Sequence, residues 1–191
     1  MRALGLDLGF ANIGIAVITI ADPPVVDVMR MFQTQKAKHR KASDDNLQRS
    51  MEISRLFFNL YEEFPDLKII AAEAMSFPRN ASIAGKMSMC WGVVAAFAER
   101  ANLALLQTSP QEIKRLVTGS KSATKQEVQA GVKSLLPGQD LSSLHKKLAA
   151  SKEEHIYDAV AAVLAAWTRP EFKLLNSLLP AGGSTWQPYR L

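Results

Sequence analysis

Arg2-Ala3-Leu4-Gly5-Leu6-Asp7-Leu8, Gly9-Phe10-Ala11 and Asn12-Ile13-Gly14-Ile15-Ala16-Val17-Ile18-Thr19-Ile20 form one continuous stretch that reads as two strands around a short turn near Gly9 and Asn12. A third strand is expected over 25–32, after the breaker Asp22-Pro23-Pro24, and the three make an antiparallel meander. Asp7 follows the apolar run Ala3-Leu4-Gly5-Leu6, so an acid stands at the end of the first strand.

Working outward, the basic run Lys36-Ala37-Lys38-His39-Arg40-Lys41 reads as a loop, after which Ser43 offers a helix cap with Asp44 and Asp45 in the first turn. Leu47, Met51, Ile53, Leu56, Phe57, Leu60, Tyr61 and Phe64 recur at helical spacing until Pro65. A strand over 67–73, a turn through Phe77-Pro78-Arg79-Asn80, and a helix over 81–101 rich in small residues come next. The reading continues with a strand at 104–107, a short helix from Pro110 to Leu116, a break at Thr118-Gly119-Ser120 and a helix from about Thr124. Residues 137–152 read as a loop with some helical content, and 153–168 as the final helix. The expected organisation is an α/β domain over 1–169, built on a mixed five-stranded sheet flanked by helices with strands one and four adjacent. A C-terminal tail over 170–191 follows, its last dozen residues extended by Pro180, Gly182, Gly183 and Pro188, with Trp186 and Tyr189 as docking points.

A chain of 191 residues, 48% hydrophobic, suits one well-buried domain. Its net charge of +5 favours a polyanionic partner without proving one. The single cysteine, Cys90, excludes an intramolecular disulfide and reads as a buried thiol in a reducing compartment. The N-terminal apolar run is cut by Asp7, unlike a signal peptide, and no uninterrupted apolar stretch has the length of a membrane span. A cytoplasmic protein without a membrane partner is the expectation.

Glu73 closes the run Leu67-Lys68-Ile69-Ile70-Ala71-Ala72, and Asp158 lies in Glu154-His155-Ile156-Tyr157-Asp158-Ala159, where His155 and Asp158 share a helix face. Carboxylates gathered at strand ends of an open sheet repel each other and take up protons unless divalent cations screen them. Magnesium, with manganese as a substitute, is the natural ion. It takes oxygen ligands, and two such ions assist phosphodiester hydrolysis. The small residues Ala159, Ala161, Ala162, Ala165 and Ala166 let the last helix lie close to the sheet.

Gly5-Leu6-Asp7-Leu8-Gly9, Glu73 with Asn80, the segment from Lys114 through Gln126, and His155-x-x-Asp158-Ala159 together resemble the RuvC-type Holliday junction resolvases of the ribonuclease H-like superfamily, over roughly residues 1–168. The resemblance implies a structure-specific endonuclease of recombination and repair, a homodimer that nicks opposing strands of a four-way DNA junction. It implies that Asp7, Glu73, His155 and Asp158 bind two magnesium ions. It also implies that Lys114 and Lys125, joined by Lys121, hold DNA phosphates, and that the turn carrying Phe77, Arg79 and Asn80 meets the junction centre. Phe77 falls one residue later than the family's aromatic and is followed by Pro78, and the loop 36–41 and the tail match no family feature; a divergent or phage-type member fits these departures.

Plainer readings stand beside these. Asp7-Leu8-Gly9 with Gly14 also resembles the first phosphate loop of actin-like ATPases, but the second lobe those enzymes need is missing from the sequence. Glu73 alone is an ordinary strand-end acid, His155 a helix-start histidine, and Lys114, Lys125 and the run 36–41 solvated charges. A non-catalytic junction-binding protein, and a ribonuclease acting on RNA or hybrids, remain as alternatives. The last shares the metal chemistry and differs by contacts to the 2′-hydroxyl.

Overall fold

The computed structural model describes residues 1–75 and 79–178. Strands β1 (Arg2–Leu8), β2 (Asn12–Thr19) and β3 (Val25–Gln33) form the antiparallel meander, followed by α1 (Ala42–Glu63) and β4 (Leu67–Glu73). Then come α2 (Ala81–Ala101), β5 (Ala104–Thr108), α3 (Pro110–Thr118), α4 (Lys125–Leu135), a short 3-10 turn (Leu141–Leu144), α5 (Ala150–Ala166) and α6 (Pro170–Ser177). The sheet runs β3-β2-β1-β4-β5, with β4 parallel to both β1 and β5. Only β2 points the other way, so β1, β3, β4 and β5 all end on one rim.

Strand alternation divides the core. Leu4, Leu6 and Leu8 of β1, with Ile13, Ile15, Val17, Ile70 and Ala72, pack under α1 and α2, where Phe57 stacks on Phe97 at 5.5 Å between ring centroids. Ala3, Ala16, Ile18, Ile69 and Ala71 face the other way and meet α5, which is buried almost throughout from Ile156 to Trp167. Each large side chain sealed in this way contributes about 1.5–3 kcal/mol relative to exposure. Among the described helices, α2 alone is long and apolar enough for a membrane span, at mean hydropathy 1.3; Lys86 interrupts it, and Cys90, Trp91, Val94 and Phe97 pack on the sheet side. Burial pushes the Cys90 thiol up to about 11, the unreactive sulfhydryl expected of it.

Several expectations are corrected. Ser43 does not cap α1: the helix starts at Ala42, Lys41 sits at the N-cap without a side-chain bond, and the Ser43 hydroxyl donates to Asp44 Oδ1 at 3.2 Å. Asp45 stands in the first turn, as expected. It is buried against Arg49 and accepts from the Ala37 backbone N–H at 2.8 Å. Arg49, Ile53, Phe57 and Leu60 make the inward row of α1, which turns Leu47 and Met51 outward at 60% and 49% exposure. The final helix begins at Ala150 rather than 153. Beyond Pro170, where the sequence pattern fades, the chain forms α6, with Pro170 in its first turn and Phe172 fully buried beside Trp167, at 4.5 Å between rings. Trp186 and Tyr189 lie outside the described residues.

Candidate active site

The period of two that buries β1 also aims its acid. Ala3, Gly5 and Asp7 share the α5 face, as do Ile69, Ala71 and Glu73 on β4. Leu6 is in register with Ala72, so the next step along the parallel pair brings Asp7 beside Glu73 at the rim. Across the hairpin Asp7 pairs with Gly14. A Cβ on Gly14 would stand 2.0 Å from the His155 carbonyl oxygen, and one on Gly5 2.1 Å from that of Ala159. Both strands are therefore bare where the α5 backbone rests on them, and this contact sets His155 and Asp158 against the acids. Sequence reading saw the small residues of α5 but missed these two glycines as their counterpart. Their signal is the pairing of Gly14 with an acid-bearing strand position.

His155 Nδ1 lies 2.6 Å from Asp7 Oδ2. That hydrogen bond, with the Asp7 charge, holds the imidazole pKa above its usual value against the opposing pull of burial. Asp158 is paired with Lys125. Burial drives the Asp158 carboxyl up, the Lys125 bond and charge oppose it, and Asp7 and Glu154 reinforce the rise. Glu73 is raised chiefly by burial and then by Asp7, with Lys125 and Lys114 pulling it back and Asp158 adding to the rise. For Lys125 burial acts downward, but the bond to Asp158 and the charges of Asp158, Asp7 and Glu154 prevail and hold the ammonium above its ordinary range.

Lys125 reaches this position because it is the first residue of α4, whose start is fixed by a capping box between Thr124 and Glu127. A second box, Ser109 with Glu112, fixes α3 and thereby Lys114. Lys121 is exposed in the intervening turn, and its charge acts on Glu112 rather than on the acids. Arg79 is exposed, Asn80 spends its amide oxygen accepting from Ile83 N–H at 3.1 Å as the cap of α2, and Phe77 lies outside the described residues. Thr108, which sequence reading passed over, is in register with Glu73 and buried, its hydroxyl without a partner among the described residues.

The expected metal ligands are thus gathered at one rim, yet no group of three or more His, Cys, Asp or Glu converges as a ready-made ion site among the described residues. His155 is paired with Asp7 and Lys125 with Asp158. The charge of Asp7 raises both Glu73 and Asp158, and three carboxylates so gathered are the hard, anionic oxygen set that divalent cations favour, so the residues fit such a group.

The family model described as "Crossover junction endodeoxyribonuclease RuvC" matches residues 3–166. A relative of that name from Rhodococcus jostii is 30% identical over 89% of this chain and 83% of its own length. Another, from Natranaerobius thermophilus, is 30% identical over 71% of this chain and 81% of its own. Among solved structures, Thermus thermophilus RuvC superposes with a TM-score of 0.68 at 21% identity, covering 90% of this chain and 98% of that one. The yeast mitochondrial Holliday junction resolvase Ydc2 gives 0.62 at 17% identity, covering 87% and 77%. At these identities the structures speak for a shared ribonuclease H-like fold.

Proposed function

Because this chain belongs to the RuvC family of crossover junction endodeoxyribonucleases, we propose that the rim described above is its active site. The chain is a structure-specific endonuclease that resolves Holliday junctions in recombination and repair, and it depends on divalent metal. Asp7, Glu73 and Asp158 are the carboxylates that hold the metal and His155 the fourth member of the set. Magnesium is the physiological ion, two per site, with manganese able to replace it. Bound there, the ions supply an activated water and stabilise the leaving oxygen of the cleaved phosphodiester.

The chain's own residues do the rest. Asp7 orients the His155 ring through Nδ1. Lys125 neutralises Asp158 in the free protein and is placed to exchange that partner for a DNA phosphate, a contact that positions the backbone without reading sequence. Lys114, whose charge also reaches Glu73, lies on the same side. Lys121, Arg79 and Asn80 belong to the DNA-facing surface. The enzyme acts as a cytoplasmic homodimer, since two opposing strands must be nicked together. Residues 1–169 carry the nuclease and 170–191 the C-terminal extension.

The observation that carries this reading is the convergence of acids from β1, β4 and α5 on one rim, seated by Gly5 and Gly14. The test is incubation with magnesium and labelled four-way junction, flap, duplex, RNA–DNA hybrid and single-stranded substrates. Paired symmetric nicks confined to the junction are expected. Asp7→Asn should abolish them while leaving junction binding in place, because one ligand is lost and the basic surface is not. Undiminished cleavage by that variant, or cutting restricted to hybrid or RNA, would overturn the assignment.

A further inference from the structure

Lys36-Ala37-Lys38-His39-Arg40-Lys41 puts five basic side chains in six positions, and none of the five enters an ion pair among the described residues. Lys36, Lys38, His39, Arg40 and Lys41 are all exposed. Asp44, which borders a shallow cavity with Arg40, is the acid that faces them, while the next acid, Asp45, is withdrawn into the buried pair with Arg49.

The loop is nonetheless fixed in place. Its middle is tied down where Ala37 N–H donates to Asp45 at 2.8 Å. Arg49 Nε donates to Thr34 Oγ1 at 2.8 Å, its NH2 group donates to the Phe10 carbonyl at 3.3 Å, and its guanidinium lies 4.4 Å over the Phe10 ring. Thr34 donates in turn to the Phe10 carbonyl through its hydroxyl at 2.6 Å and to the Ala11 carbonyl through its N–H at 3.1 Å. The root of the loop is thereby stitched to the residues just beyond Asp7. Lys152, in the first turn of α5, donates to Gln33 at the end of β3 and adds a further cation to the same side.

Topology completes the placement. β3 and β5 are the two edges of the sheet and both end on the acidic rim, so the loop leaves the rim on one flank and α3, with Lys114, on the other. Four strand spacings separate these flanks, about 19 Å, wider than the about 12 Å major groove of duplex DNA. Flanks that far apart would meet different rows of phosphates.

We propose that the loop 36–41 is a second phosphate-gripping surface that holds the backbone of a duplex arm of the branched substrate on the β3 flank of the acidic rim. It rests on the junction-endonuclease reading above and extends it, since Lys125 is paired at the rim with Asp158 and Lys114 lies on the opposite flank. Burying Asp45 and Arg49 to anchor an exposed loop makes sense for a surface that must bind without first being ordered, because prior ordering removes an entropic cost of association.

The test uses the full chain carrying Asp7→Asn, which should bind without cutting, and follows four-way junction affinity between about 50 and 200 mM salt. Replacing Lys36, Lys38, Arg40 and Lys41 by Gln should lower the slope of log affinity against log salt by about 2–4, at about 0.9 for each lost contact, with affinity at low salt falling roughly tenfold or more. Should that protein melt abnormally, K38Q with R40Q alone should lower the slope by about half as much. A folded variant that keeps the parent slope and affinity overturns the loop's role, as does a loss confined to single-stranded RNA. Failure of the underlying reading looks different: the unsubstituted chain would then cut no junction whatever the loop carries.

Discussion

At Gly14 the missing side chain decides where chemistry happens. Any Cβ there would lie 2.0 Å from the His155 carbonyl oxygen, a backbone atom that cannot swing aside, so α5 would have to rise off the sheet. Gly14→Ala should therefore cost at least the about 1–3 kcal/mol of an overpacked core. It should depress junction cleavage more than the loss of stability explains, because His155 and Asp158 ride on the displaced helix. Denaturant melts and cleavage rates on the same protein check this, and a variant normal in both would contradict the proposed seating. The acids themselves were legible in sequence, since Asp7 and Glu73 each close an apolar run. Their partners were not: the His155–Asp7 bond and the Lys125–Asp158 pair join residues 148 and 33 positions apart, and only packing brings them together.

Among the elements, those that announce themselves by local chemistry were readable. Pro110 opens α3, Thr124 caps α4, and the β1–β2 hairpin follows from its apolar runs. The capping box on α4 has a consequence for function, because Lys125 is the first residue it fixes. Thr124→Ala should cost about 1 kcal/mol of stability and loosen Lys125 from Asp158. In urea the midpoint should fall with an unchanged m-value; an unaltered midpoint would show that the cap contributes nothing. α1 was readable as a helix but not in its start or its inward face. Ser43 is a good cap residue by propensity, yet the buried Asp45–Arg49 pair pulls the chain into helix earlier and turns Leu47 and Met51 outward. Tertiary demand overrides local preference there.

For the whole molecule, the rim is held by internal pairing of His155 with Asp7 and of Lys125 with Asp158. Divalent metal should still add stability by binding the folded state alone, about 2.7 kcal/mol at a hundred times its dissociation constant. That is a melting-temperature rise of about 5–10 °C for a domain of this size. Magnesium should produce the rise, EDTA should reverse it, and Asp7→Asn should reduce it; a melting temperature indifferent to magnesium would argue against the carboxylate rim as the ion site. By itself the sequence determined the element order, the five-stranded sheet and the acids at its strand ends, because period, turn residues and caps act over a few residues and need no distant partner. Only the tertiary structure decided that α5 rests on bare glycines, that His155 and Lys125 hold the acids, that Phe172 packs home, and that the basic loop is anchored beside Asp7. Each of these is a contact between segments far apart in the chain, fixed by close packing and buried polar pairing that no local pattern encodes.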